Sequence, residues 1–265
     1  MPQITHDNIQ FHYSIEGHGA PLVLIPGFSA GAWIWFQQMS MLSRVFQTIT
    51  FDPPGIGPSP YCERPAEMRF IAEDIAALLQ SLEIKQAHIL GASFGGFVAQ
   101  EFALNYPEMT RTLNLCCTSF GGPNHVHPSM EILGAVTSDN GFNTEARIRR
   151  LLMPAFSPDF ALNQPDQVNA LVDRRLENPV DERAYRWQLM AAMAFNTESR
   201  IPDLRIPTLV ISGDSDQIVP PQNSRNLAAR IPDAQLSLIK GGSHLFFLEQ
   251  PREFNAVLET FLLAH

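Results

Sequence analysis

Little in this chain offers a handle for a disulfide, a metal, a nucleic acid or a lipid bilayer. Cysteine is scarce: Cys62, Cys116 and Cys117 are the only three in 265 residues. Adjacent Cys116 and Cys117 are poorly placed to bridge each other, and no CxxC or metal-ligand spacing occurs. The expectation is therefore thiols buried as small hydrophobes, no metal, and a reducing cytoplasmic setting. Charge is sparse too, at 17% of residues, with 18 basic against 27 acidic groups and a formal net charge of -9. No dense Lys/Arg cluster occurs, so the electrostatic footprint of a nucleic-acid partner is missing. The acidity reads as solubility. Apolar stretches such as Leu22 to Ile25 are too short to span a bilayer. The segment Met1 to Asp7 has neither the basic start nor the apolar centre of a signal peptide, so no membrane association is expected.

What the chain does have is apolar residues, 45% of the total, enough for a sizeable core. Gln10 to Ile15 alternates as a strand, Leu22 to Ile25 is a short apolar run ended by Pro26-Gly27, and Phe46 to Phe51 is strand-like. From Pro65 the period becomes helical, through Met68, Ile71, Ile75, Leu78, Leu79 and Leu82. A strand at Ala87 to Leu90, a turn, a helix over Phe97 to Tyr106 and a strand over Thr112 to Cys117 follow. That order predicts an α/β fold with a mostly parallel sheet and crossover helices. From Ser119 to Asp203 no β-run occurs, and Leu171 to Leu176 and Tyr185 to Phe195 read as helices. The β/α pattern returns with Thr208 to Ser212, a helix after Pro220-Pro221, Gln235 to Ile239, and a helix from Arg252 to Leu263. The predicted organisation is a core of residues 1–118 and 204–265, with a helical cap of residues 119–203 inserted between its halves.

The chemistry concentrates at Gly91-Ala92-Ser93-Phe94-Gly95, between a strand and a helix. A GxSxG string alone arises by chance in a chain this long roughly once in ten, so context must carry it. A nucleophile on a tight strand-to-helix turn needs small neighbours two residues away on each side, and Gly91 and Gly95 supply them. The helix start behind Ser93 also presents free N–H groups to a developing oxyanion. A serine at its ordinary pKa needs a base, and the base an orienting acid. His244, after Gly241-Gly242-Ser243 and the last β-run, lies at the same sheet edge; the remaining histidines fall in early strands, a turn, the inserted segment or the chain terminus. His125 and His127 form an HxH pair, but with no third ligand in sight they read as a solvated loop. For the acid, Asp214 and Asp216 both sit in the loop after Thr208 to Ser212, and either could orient His244.

Ser93, an acid and His244 in this order resemble the α/β-hydrolase fold, in the cap-bearing branch of enol-lactonases, aminoacrylate hydrolases, small esterases and C–C bond hydrolases. The family's acid motif, G-x-x-D-x-I/V-V-P, matches Gly213, Asp216, Ile218, Val219 and Pro220, so the resemblance implies Asp216 as the acid. Its G-G/A-x-H motif matches Gly241, Gly242 and His244, and its D-x-R-G-x-G-x-S turn matches Asp52, Gly55, Gly57 and Ser59. Two positions depart from the pattern: Pro26 stands where His precedes the glycine of the oxyanion loop, and Pro54 where most members carry Arg. The resemblance implies oxyanion donors at the backbone N–H groups of Phe28 and Phe94.

The expected activity is hydrolysis of a small, largely apolar ester or lactone through an acyl-serine, with a small-molecule substrate and no cofactor. Two alternatives accompany it: a C–C bond hydrolase, which Pro54 favours and Leu245 after His244 disfavours, and a ligand receptor on the same triad with slow turnover. A nucleotide-binding protein is excluded by the lack of GxGxxG after the first strand and of a P-loop lysine. The expected pocket walls are Gly27, Phe28, Trp33, Trp35, Phe94 and Leu245 from the core, with Phe120, Trp187, Met190 and Phe195 from the cap side. The cap arginines, Arg147, Arg149, Arg150, Arg174, Arg175, Arg183 and Arg186, read mostly as solvated helix faces. No motif bears on oligomeric state.

Overall fold

The computed structural model of the chain describes residues 2–6, 9–137 and 143–265. Its strands are β1 (Gln3–His6), β2 (Ile9–Glu16), β3 (Pro21–Ile25), β4 (Gln47–Phe51), β5 (Ala87–Ala92), β6 (Thr110–Cys116), β7 (Thr208–Gly213) and β8 (Gln235–Ile239). Among the described residues they form one sheet in the order β1-β2-β4-β3-β5-β6-β7-β8. The first two pairings, β1 with β2 and β2 with β4, are antiparallel. All the others are parallel.

Crossover helices cover both faces, which is why the central strands are apolar throughout rather than alternating. On one face α2 (Met68–Ser81), α3 (Phe94–Asn105) and α9 (Gln222–Arg230) pack on Val23, Ile25, Ile89, Leu113, Leu115 and Val210. On the other, α1 (Phe36–Leu42), α10 (Phe246–Glu249) and α11 (Pro251–Leu263) pack on Leu22, Leu24, Leu90, Cys116, Leu209 and Ile211. Between β6 and β7 run α4 (Met130–Thr137), α5 (Glu145–Leu152), α6 (Pro158–Asn163), α7 (Pro165–Glu177) and α8 (Glu182–Ala194). The bridge Ile56↔Val180 ties this stretch to the rest of the chain, and Gly121↔Asn196 joins its two ends to each other.

Helix α2 begins at Met68 rather than at Pro65. The carbonyls of Arg64 and Pro65 are engaged elsewhere, each accepting from Trp187 Nε1 at 2.9 Å. Helix α3 begins at Phe94, ahead of the expected Phe97, because the turn at Ser93 leads directly into it. The short β1 and α1 carry too few periodic residues to register as elements in the sequence. No helix among the described residues is long and apolar enough to cross a membrane.

Leu24 is fully buried in β3 with the α1/α11 face packed over it, whereas Leu162 of α6 is 78% exposed. Leu24→Ala is expected to lower unfolding free energy in urea by about 2–5 kcal/mol, and Leu162→Ala by less than about 0.5 kcal/mol.

Candidate active site

The turn between β5 and α3 holds Ser93 at φ 55 and ψ -117, a left-handed conformation that a non-glycine residue keeps only when its surroundings force it. The forcing contacts are backbone. A Cβ at Gly95 would meet Ile25 O at 2.3 Å, and one at Gly91 would meet Gly95 O at 2.1 Å. Ser93 N–H donates to Cys116 O at 2.8 Å, and its carbonyl accepts from Thr118 Oγ1 at 2.8 Å, so β6 grips the turn from the side.

The loop after β3 lies directly against this turn, since a Cβ at Gly27 would sit 3.6 Å from Ser93 Cβ. The N–H groups of Phe28 and Phe94 have no acceptor among the described residues. The next residue, Ser29, is itself left-handed at φ 53 and donates its N–H to Gln188 Oε1 of α8 at 2.7 Å. Farther along, Ala32 N–H donates to Asp52 Oδ1 at 2.8 Å, and Ser59 Oγ donates to Asp52 O at 2.8 Å. The turn of Asp52, Gly55, Gly57 and Ser59 thus braces the loop from beneath. Burial pushes the Asp52 carboxyl up, with the Ala32 bond and His12 opposing.

The loops after β7 and β8 meet backbone to backbone: a Cβ at Gly213 would lie 2.1 Å from Gly242 O. Across that contact His244 Nδ1 lies 2.8 Å from Asp216 Oδ2. The other oxygen of Asp216 accepts from the N–H groups of Ile218 at 2.8 Å and Val219 at 2.9 Å, which fixes the carboxylate plane. Asp214 does something else. Its Oδ1 accepts from Gly241 N–H at 2.8 Å and so ties the two loops together without reaching His244. The His244 loop is pinned on both flanks, with Leu245 N–H donating to Ala155 O at 2.9 Å and Ser243 Oγ 2.7 Å from Glu249 Oε1.

Burial acts to lower the His244 pKa, but the charge of Asp216, together with its hydrogen bond, pushes it up to about 9. Cys117, at φ 41 just past β6, brings its Sγ within 4.8 Å of donor atoms of both His244 and Asp216. Its thiol lies well above the ordinary range, mainly through burial and then through the Cys116 contact, so it is held protonated and weakly nucleophilic.

These groups open onto a cavity of about 530 Å³. Of the expected walls, Gly27, Phe28, Trp33, Phe94, Phe195 and Leu245 line it, together with Ser93 and His244. Four others do not. Trp35 is fully buried against Phe247, ring centroids 5.0 Å apart, beneath the cavity floor. Phe120 is fully buried under the Arg230 guanidinium. Trp187 turns toward residues 64 and 65, where its indole N–H is used. Met190 does not line the cavity; Leu189 of the same helix does, as does Met193, which is itself 78% exposed.

Several lining residues carried no sequence signal, among them Phe97, stacked on Phe195 at 4.3 Å, and Ile132, Ile148 and Leu151 of the inserted helices. His125 and His127 also line the cavity from a loop in which His125 is half-buried and His127 exposed, held by Val126 N–H donating to Asn223 Oδ1 at 2.9 Å. Of the seven arginines named in the inserted stretch, Arg150, Arg174, Arg183 and Arg186 are exposed and Arg149 half-buried, whereas Arg147 and Arg175 are buried. In α5 and α7 each lies on the inward side of the helix, among the residues that pack beneath it.

Comparison with known proteins agrees with this layout. A family model described as alpha/beta hydrolase fold matches residues 20–251. A poly(3-hydroxyalkanoate) depolymerase from Ectopseudomonas oleovorans is 29% identical over 92% of this chain and 85% of its own. The enol-lactonase of Burkholderia xenovorans LB400 superposes with a TM-score of 0.87 at 24% identity, over 99% of this chain and 100% of its own. A thermophilic esterase from Thermogutta terrifontis does so with a TM-score of 0.83 at 25% identity, over 99% and 98%.

If the Asp216 charge holds the His244 proton, Asp216→Asn leaves burial as the main influence and the pKa should fall below its ordinary 6.5. Asp214→Asn should leave it high. Imidazole titration by NMR reads both, and an unchanged His244 pKa in Asp216→Asn would refute the pairing.

Proposed function

The chain belongs to the α/β-hydrolase fold family, and on that premise we propose that it is a serine hydrolase of small, largely apolar carboxylic esters or lactones. Ser93 is the nucleophile, His244 the base and Asp216 the acid that orients it, with the N–H groups of Phe28 and Phe94 receiving the oxyanion. The observation that carries this reading is the 2.8 Å Asp216–His244 contact, opening with the strained Ser93 turn onto one apolar cavity.

Each step uses groups of the chain and water. His244 Nε2 takes the Ser93 hydroxyl proton as Oγ bonds to the substrate carbonyl carbon, and the negative charge passes to the carbonyl oxygen. The free Phe28 and Phe94 N–H groups, already fixed before substrate arrives, stabilise that oxygen without reorganising. Collapse of the adduct breaks the ester bond, and the departing alkoxide leaves with the proton from His244. A water then gives its proton to His244 and attacks the acyl-serine; the acid departs and Ser93 recovers its hydrogen. Asp216 stabilises the imidazolium at both stages.

In this reading residues 119–203 form a cap over a core of residues 1–118 and 204–265. The support is that Ile132, Leu133, Ile148, Leu151, Leu189 and Met193, all from the inserted helices, wall the cavity opposite the sheet edge. An apolar wall favours the hydrocarbon part of a small substrate and excludes water from the acyl-enzyme.

Short-chain 4-nitrophenyl esters test the proposal. Ser93→Ala should remove turnover to background, and Asp216→Asn should lower kcat by about 10³–10⁴-fold, far more than Asp214→Asn. Because the base must be unprotonated, the acid limb of the kcat/KM profile should lie above pH 6.5 and move down in Asp216→Asn. Equal activity of wild type and Ser93→Ala would overturn the reading.

A further inference from the structure

Helix α7 buries Val168, Leu171, Val172 and Arg175, a spacing that places a guanidinium in the fourth position of an apolar stripe. Arg175 is only 7% exposed and lines the same cavity as Ser93 and His244. Its hydrogen-bond partners among the described residues are neutral. Nη1 donates to Asn178 O at 2.9 Å and to Asn143 Oδ1 at 3.3 Å, while Nε and Nη2 have no acceptor among the described residues. Nearby arginines are treated differently: Arg149, Arg183 and Arg186 pair with Glu145, Asp181 and Glu182 on the surface. No carboxylate among the described residues pairs with Arg175.

A buried cation without a counterion is costly, and a buried guanidinium with part of its fork unused is incomplete. The two Asn178 and Asn143 bonds fix one edge of the group and leave the other free. Burial also pulls its pKa down to about 10, partly offset by Tyr185, which leaves it charged at neutral pH.

We propose that Arg175 is an anion subsite in this cavity, and that the substrate carries a carboxylate on the part of the molecule remote from the bond cleaved. The planar fork suits a carboxylate held through two parallel N–H···O bonds, and Ile132, Ile148, Leu151 and Leu189, which line the cavity along with Arg175 and Ser93, suit a hydrocarbon spacer. The position of the cleaved bond rests on the serine-hydrolase reading above; the anion subsite does not.

The experiment has a binding arm and a kinetic arm. In the binding arm, Ser93→Ala protein is titrated calorimetrically with glutarate, adipate and suberate, alongside the dimethyl ester of each. At least one diacid should bind better than its diester by about 10–100-fold, and adding Arg175→Gln should abolish that advantage. In the kinetic arm, the 4-nitrophenyl hemi-esters of the same diacids are compared with their methyl-capped counterparts. Wild type should favour the free acid at one chain length, chiefly through KM, and Arg175→Gln should bring the acid-to-ester ratio close to one. Arg175→Lys, which keeps the charge but not the fork, should fall between. Turnover of the esters with no acid preference at any length, and no diacid binding, would overturn the subsite and leave the hydrolase reading standing. Diacid binding that depends on Arg175 in a protein without turnover would do the reverse. A variant that loses thermal stability while the ratio stays at its wild-type value would assign Arg175 to helix capping alone and also overturn the proposal.

Discussion

The site depends on one steric constraint, the close approach of backbone to backbone around Ser93. Gly95 allows the start of α3 to rest on the carbonyls of Ile25 and Pro26, and Gly91 allows β5 to pass beneath it. The same contact therefore sets the serine's strained dihedral angles and the height of the loop that carries Phe28. A methyl group at Gly95 would not simply crowd the turn; it would push Ser93 away from the loop that carries Phe28. The other half of the site repeats the device, with Gly213 and Gly242 letting two loops touch so that Asp216 reaches His244.

Much of this is written locally in the chain. The strands of the sheet are short apolar runs ended by Gly, Pro or Asp, and the GxSxG turn lies between a strand and a helix as its chemistry requires. Asp214 and Asp216 show the limit. Both follow β7, and position after the strand does not separate them, although the family motif favours Asp216; in the structure Asp214 ties the loops together and Asp216 faces the imidazole. The cavity walls were less legible still. Aromatic residues near the site in sequence were expected to line it, yet Trp35 and Phe120 are taken by the core and Trp187 by carbonyls more than a hundred residues away. Which residues of α8 reach the cavity depends on its partners, so Leu189 lines it, Met193 lines it while remaining largely exposed, and Met190 does not line it.

Arg175 illustrates the same point in charge. Among eight arginines in residues 119–203, nothing but helical position distinguishes it, and position matters only once the stripe Val168, Leu171 and Val172 is known to face inward. A basic residue in an apolar stripe looks like a defect of amphipathicity in the sequence. In the folded chain it places a guanidinium on the wall of a cavity to which the inserted helices also bring Ile132, Leu133, Ile148, Leu151 and Leu189.

The bond from Ser29 N–H to Gln188 Oε1 spans 159 positions of sequence and joins α8 to the residue after Phe28. It is buried, so α8 cannot lift from the sheet edge without leaving an amide and a carboxamide oxygen to find water. The Ser29 amide is consequently an internal clock for that motion. Its hydrogen–deuterium exchange rate counts the openings of the inserted helices, separately from global unfolding and without any substrate present.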